Sequence, residues 1–285
     1  MSRKNIFEII NNNYDIAHEI DKITELFNYN MVSYIDNRCQ QRTTTLERIF
    51  EVQILPTWKQ RGTLLSIDEI KDKLNIPESF EESPLWNIDD ALNLLEIYDN
   101  IAYLIHKKLN RDVYQLDNCF NLLIENIHIL LDHLNYEHKI FENEEKVILI
   151  PKNPAATAVA EISDEETAMA ILRYNHHTLK GDLETKRHLL NSIAREYEPL
   201  LNNPIEGYID FFKKTNGLLN NLHIRHNNIE SVDNKNLVID IDDKTLEHWY
   251  DELYQLLLFC VLIDDNLKRK NDAGEFLKSL KGAKT

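Results

Sequence analysis

One short stretch of the chain combines residue types that could do chemistry: Asn221-Leu222-His223-Ile224-Arg225-His226-Asn227-Asn228. It places one Arg, two His and three Asn at the end of an apolar run, Ile209 to Leu222, whose spacing reads as helix. Arginine is a fixed cation with a planar fork that matches a phosphate. Histidine titrates near neutrality and can give or take a proton. Side by side, Arg225 and His226 could grip a phosphodiester and protonate its leaving oxygen, with His223 as an alternative acid–base group. An RNA 2′-hydroxyl would supply the nucleophile, so this chemistry needs no metal. Asn227 and Asn228 would contact the same substrate. The same residues also suit a plain helix end. Arg225 would then pair with one of the many acids, the histidines would cover terminal carbonyls, and the asparagines would make the turn.

A second candidate lies between Asp164 and Leu201. If one helix continues through Gly181, then His177, Glu184, His188, Asn191 and Arg195 fall near one line, because steps of three, four and seven stay on one face. A His/Glu/His line of this kind could bind a metal or serve acid–base work, and His177 and His188 would contact substrate if this face meets Arg225. It is equally the polar face of a surface helix.

The elements that must carry these residues are mostly helical. The chain has 285 residues, enough for one large domain or two small ones, with ordinary apolar and charged fractions. Its six Gly and seven Pro punctuate long runs of helical period. The fold class expected is all-α, a multi-helix bundle with one small inserted β-hairpin. Helices are expected over Ile6 to Asn28 and Met31 to Leu55. A short helix follows the capping-box pattern Ser66-Ile67-Asp68-Glu69. A long pair comes next, the first capped by Asp89 or Asp90 and the second running from Cys119 to Leu134. The period then changes: His138-Lys139-Ile140-Phe141 and Lys146 to Pro151 read as a hairpin, placed near 138–151. Further helices begin at Asp164, after Pro204, and at Asp242 or Asp243, with a short β-like run at Leu237-Val238-Ile239. The last helix carries Leu256 to Ile263, apolar almost all round, and should be central to its bundle. The acidic Pro77 to Pro84 segment suggests a boundary between an N-terminal helical region, 1–80, and a bundle over 81–285.

Composition narrows the function classes. A net charge of −16 disfavours general coating of nucleic acid. Six Lys or Arg against two acids from Lys268 to Thr285 form a local reversal, read as a solvated helix or a docking tail. The Leu65 to Pro77 stretch resembles the first half of a helix-turn-helix, but the acidic residues after it cannot meet phosphates, so DNA reading is not expected. No apolar run reaches membrane-spanning length. Cys39, Cys119 and Cys260 are odd in number and far apart, which argues against a disulfide framework or a zinc site and for a reducing cytoplasm. The start of the chain lacks a signal-peptide pattern. There is no Gly-rich phosphate loop, no Gly-x-Ser-x-Gly, no His-Glu-x-x-His and no Cys-x-x-Cys. No cofactor or metal is expected.

The stretch Asn221 to Asn228, set between a helix and a final apolar helix, resembles the signature region of the HEPN superfamily. Those helical-bundle proteins are common in toxin, abortive-infection and RNA-processing systems. Many are metal-independent ribonucleases, and others are non-catalytic binding modules. The family motif is Arg, then a polar residue, then His after four to six intervening positions. Arg225-His226 matches the first half. Positions 230, 231 and 232 hold Glu230, Ser231 and Val232, so the second half departs from the pattern. The resemblance implies a helical bundle, Arg225 on a phosphate, His226 as its polar companion and a homodimer with two motifs facing one cleft. It implies either RNA cleavage, with His223, His177 or His188 replacing the missing His, or binding of a partner or antitoxin protein. An unrelated helical scaffold is the remaining reading.

Overall fold

The computed structural model describes residues 15–29, 31–35, 38–109, 118–222, 224 and 241–282. The fold is all-α, with two small antiparallel two-stranded sheets among the described residues. The chain divides into two compact units, Met1–Pro151 and Lys152–Thr285, each with its own apolar core. No helix among the described residues is long and apolar enough to cross a membrane.

In the first unit, α1 (Ile16–Asn28) starts at Asp15, whose carboxylate accepts from the Ala17 and His18 N–H groups. Ile20, Ile23 and Phe27 recur at helical spacing and are fully buried. The helix expected over Met31 to Leu55 is replaced. The chain first forms a hairpin, β1 (Met31–Ile35) against β2 (Gln41–Thr45). The β-branched run Thr43-Thr44-Thr45 favours strand, and Cys39 adopts a left-handed φ of +57° in the turn. Only then does a helix begin, α2 (Leu46–Ile49), capped by the Thr45 hydroxyl. It continues as a π turn over Phe50–Ile54 and a 3-10 turn over Leu55–Thr57, where Pro56 ends it. Helix α3 (Ile67–Lys73) starts where its capping box says, with Ser66 Oγ accepting from the Glu69 N–H.

The compact units do not part at the Pro77 to Pro84 segment. Phe80 is buried in the first unit's core, and the Asp21 carboxylate accepts from the Ser79 hydroxyl and from the Phe80 and Glu81 N–H groups. One aromatic anchor and three hydrogen bonds outweigh an acidic composition that suggested a linker.

Helix α4 (Ile88–Lys108) carries the unit's longest buried face. Its cap is Asn87, not Asp89 or Asp90. Asp90 instead closes the reciprocal capping box by accepting from the Asn87 N–H. Helix α5 (Asn118–His133) packs against α4. The expected hairpin follows as β3 (Tyr136–Phe141) and β4 (Lys146–Pro151), with His138 opposite Leu149.

In the second unit, α6 (Pro154–Glu161), α7 (Glu165–Tyr174), α8 (Leu183–Glu196), α9 (Glu198–Asn202), α10 (Ile209–Asn221) and α11 (Asp243–Gly282) form the bundle. Asp164 caps α7 and Asp242 caps the start of α11 by accepting from the Thr245 N–H. On α11, Leu253, Tyr254, Leu257, Leu258 and Cys260 are buried, while Phe259 is 49% exposed, so this helix is covered over much of its surface rather than all round. Beyond it the basic end of the chain is helical to Gly282, with Lys268 and Arg269 paired to Asp264 and Asp265 one turn back.

Three elements of the second unit meet at Lys186 on α8. Its buried ammonium donates to Glu247 Oε1 and Asp251 Oδ1, both at 2.8 Å. The Gly181 N–H donates to the same Glu247 oxygen at 2.7 Å, and the Tyr174 hydroxyl donates to Asp251. The Gly181 amide, followed by Lys186, holds the Glu247 carboxyl below the usual carboxylate range. A lowered folded-state pKa contributes stability above the ordinary glutamate value, and that stability is lost as pH falls through the folded value. The urea midpoint of the native protein is therefore expected to fall on acidification below the ordinary glutamate pKa. Glu247→Gln should flatten that part of the curve. An unchanged acid slope in the variant would exclude this contribution.

Candidate functional site

His223, Arg225, His226, Asn227 and Asn228 lie outside the described residues. Their frame is described. Helix α10 ends at Asn221, Leu222 and Ile224 are buried in the second unit's core, and α11 resumes at Asp243. The Tyr250 hydroxyl of α11 donates to the Leu222 carbonyl at 3.4 Å. The chain is thus fastened to the core at the residue immediately before Arg225.

The proposed line from His177 to Arg195 is not one helix. Helix α7 ends at Tyr174, His177 opens a 3-10 turn ending at Leu179, and Gly181 takes a left-handed φ of +81° before α8 starts. Only glycine adopts that conformation without a steric penalty, so the break is encoded at Gly181. His188 sits on α8, exposed, with Nε2 3.7 Å from the Glu184 carboxylate one turn earlier. His177 and His188 therefore belong to different elements, and a shared face is lost.

The structure assembles a third group, in the first unit, that the sequence reading did not single out. Asp99 comes from the middle of α4, His128 from α5 and His138 from β3. His138 Nδ1 lies 3.0 Å from Asp99 Oδ2 and 3.0 Å from His128 Nε2. The two imidazoles meet edge to face, with centroids 4.5 Å apart. The Asp99 side chain is buried at 7% exposure, whereas that of His138 is 33% exposed, so the group opens to solvent on the histidine side.

The scaffold on either side of Asp99 is fixed by two polar side chains of the same helix. Asn100 donates to the Val147 carbonyl at 2.7 Å and accepts from the Val147 N–H at 2.8 Å. Glu96 Oε2 accepts from the Leu149 N–H at 2.8 Å. Leu149 is the cross-strand partner of His138. Glu96 and Asn100 thus clamp the hairpin on α4 and set the distance from Asp99 to His138.

The electrostatics separate the two rings. The hydrogen bond to Asp99 chiefly raises the His138 pKa, against the opposing effect of burial. Burial chiefly lowers that of His128, and the neighbouring His138 lowers it further. One ring is driven toward its charged form and the other toward its neutral form, the division of roles that acid–base pairs exploit. The sequence carried a signal for this group. Tyr98-Asp99-Asn100-Ile101 places two short polar residues inside an apolar helix, where an acid is costly unless it has a partner. The partners come from far along the chain, so spacing alone could not name them.

No family model matches this chain, no curated protein matches it, and no solved structure matches it.

Proposed function

We propose that the chain is a HEPN-like defence or toxin-type protein whose second unit acts on RNA at Arg225 as a metal-independent endoribonuclease. The observation that supports this reading best is positional. The only Arg-His-Asn-Asn run in the sequence directly follows core-anchored Ile224, between two helices, α10 and α11, that pack on each other. Recognition of a phosphate by a guanidinium needs a positioned side chain, and the buried Ile224 supplies a core anchor one residue before Arg225 in the sequence.

The chemistry is a transesterification. The Arg225 guanidinium holds the non-bridging phosphate oxygens. A histidine, His226 or His223, takes the proton of the 2′-hydroxyl, the 2′-oxygen bonds to phosphorus, and the bond from phosphorus to the 5′-oxygen breaks. A protonated imidazole returns a hydrogen to that 5′-oxygen. The products are a 2′,3′-cyclic phosphate and a free 5′-hydroxyl. Asn227 and Asn228 would contribute polar contacts to the strand. The resemblance adds a homodimer to this reading, and the cysteine usage adds a reducing cytoplasm.

Glu230, Ser231 and Val232, where the family carries its second His, favour a second reading. There the same cluster binds RNA or a partner such as an antitoxin without cutting. Expression in a bacterial host separates the two. Cleavage predicts growth arrest that Arg225→Ala and His226→Ala each relieve, with far-UV circular dichroism unchanged. Binding alone predicts RNA or protein captured by the native chain, released by Arg225→Ala, and no RNA shortened. Full toxicity in both variants removes the cleavage reading.

A further inference from the structure

Outside the second unit altogether, we propose that Asp99, His128 and His138 form a binding site for a divalent first-row transition metal ion of the zinc class. The argument begins with the hydrogens available. His138 Nδ1 faces a carboxylate oxygen and a second ring nitrogen at the same 3.0 Å distance. That nitrogen carries at most one hydrogen, and a carboxylate has none to give. A single proton therefore has to serve two acceptors, or two lone pairs face each other. A cation resolves the conflict, because all three atoms can turn lone pairs on it.

The geometry suits an ion of that size. The three atoms lie within 4.8 Å of one another. Around a four-coordinate zinc with bonds of about 2.0–2.1 Å, ligand atoms stand roughly 3.3 Å apart. The two separations of 3.0 Å are close to that value, so small side-chain rotations would complete the site. The donor set points the same way. Two imidazole nitrogens and one carboxylate oxygen suit zinc and its neighbours, whereas magnesium and calcium prefer oxygen alone. Three protein ligands and a partly exposed His138 leave a coordination position facing solvent, the pattern of sites that hold a water or a substrate atom.

The surroundings are built to hold these ligands in place. Asp99 is fixed within α4, and the clamps from Glu96 and Asn100 lock the strand that bears His138. Such support is what keeps ligand atoms within coordination range. His128 comes from a third element, α5, so occupancy would tie α4, α5 and the β3–β4 hairpin together and stabilise the first unit by linkage.

The test uses the full chain, treated with a chelator and desalted, and titrated with Zn²⁺ alone by calorimetry. One equivalent should bind at this site, with a rise in Tm, and Co²⁺ in its place should give the visible absorption of a four-coordinate ion. Asp99→Asn preserves side-chain size, and His128→Gln changes a half-buried position. Each should weaken Zn²⁺ at least tenfold while the metal-free melting curve stays near that of the native protein. His188→Gln, in the other unit, should leave binding unchanged and so exclude capture by an exposed histidine. No Zn²⁺ uptake by the native chain, or equal uptake by both site variants, overturns the proposal. RNA cleavage in excess chelator is a separate readout, so failure of one proposal does not decide the other.

Discussion

Asn100→Ala is expected to destabilise the first unit by about 4 kcal/mol in denaturant unfolding. Asn100 is buried and satisfies both backbone groups of Val147, the N–H through Oδ1 and the carbonyl through Nδ2. Alanine would leave a donor and an acceptor stranded beneath α4, and a buried group without its partner costs about 1–3 kcal/mol. Asn100→Asp is expected to cost less than alanine in hydrogen bonding, because it keeps an acceptor for the Val147 N–H. It loses the donor and puts a second carboxylate beside Asp99. Asn266→Ala provides the contrast: its amide donates to the Leu262 carbonyl on an exposed helix face, and its loss should cost at most about 0.5 kcal/mol. A loss below about 1 kcal/mol for Asn100→Ala would mean that the hairpin does not depend on this clamp. The positioning of His138 against Asp99 would then need another cause.

Lys186→Met is expected to destabilise the second unit by about 2 kcal/mol. The Lys186 side chain is 7% exposed, with Glu247 at 23% and Asp251 at 51%. Breaking a fully buried ion pair typically costs about 3–5 kcal/mol, because the abandoned charge stays buried. Here both carboxylates keep access to water, which screens them and reduces the cost. Methionine retains the length and apolar stem, so the loss reports the charge rather than a cavity. The double variant Lys186→Met/Glu247→Gln should recover part of the loss, since it removes one of the two carboxylates left without a cation. No recovery would show that the Lys186 charge acts elsewhere than on Glu247, for instance on the Tyr174 ring that its ammonium overlies at 5.7 Å.

The all-α class and the inserted hairpin could be read from the sequence because their signals are local. Val147 to Ile150 is a β-branched and aliphatic run closed by Pro151, and Ser66 with Glu69 announces a helix start wherever it occurs. The β1–β2 hairpin was hidden by the same kind of local evidence. Met31 to Leu55 contains enough apolar residues at helical steps to pass for one helix, and the threonine run at 43–45 is the only strong dissent. The Pro77 to Pro84 segment misled in the other direction. Its acids suggested a linker, while Phe80 buried itself and Asp21, nearly sixty positions earlier, supplied the hydrogen bonds. Gly181 did carry its break, through a backbone conformation that a side chain would disfavour.

The Asp99 group shows the limit more sharply. Asp99 and His128 sit in apolar helical stretches that read as core, His138 sits in a hairpin strand between Glu137 and Lys139, and only tertiary packing brings the three together. Arg225 and its neighbours are the opposite case. Their residue types stand out in the sequence, and the role proposed for them rests on a resemblance whose second half is altered.

The most direct measurement is cleavage of a defined RNA by the purified full-length protein in excess chelator, with analysis of the product ends. Cutting at Arg225 predicts fragments ending in 2′,3′-cyclic phosphate and 5′-hydroxyl, formed without any divalent ion and lost in Arg225→Ala. Intact RNA, cutting that requires a metal, or unchanged cutting by Arg225→Ala would contradict it.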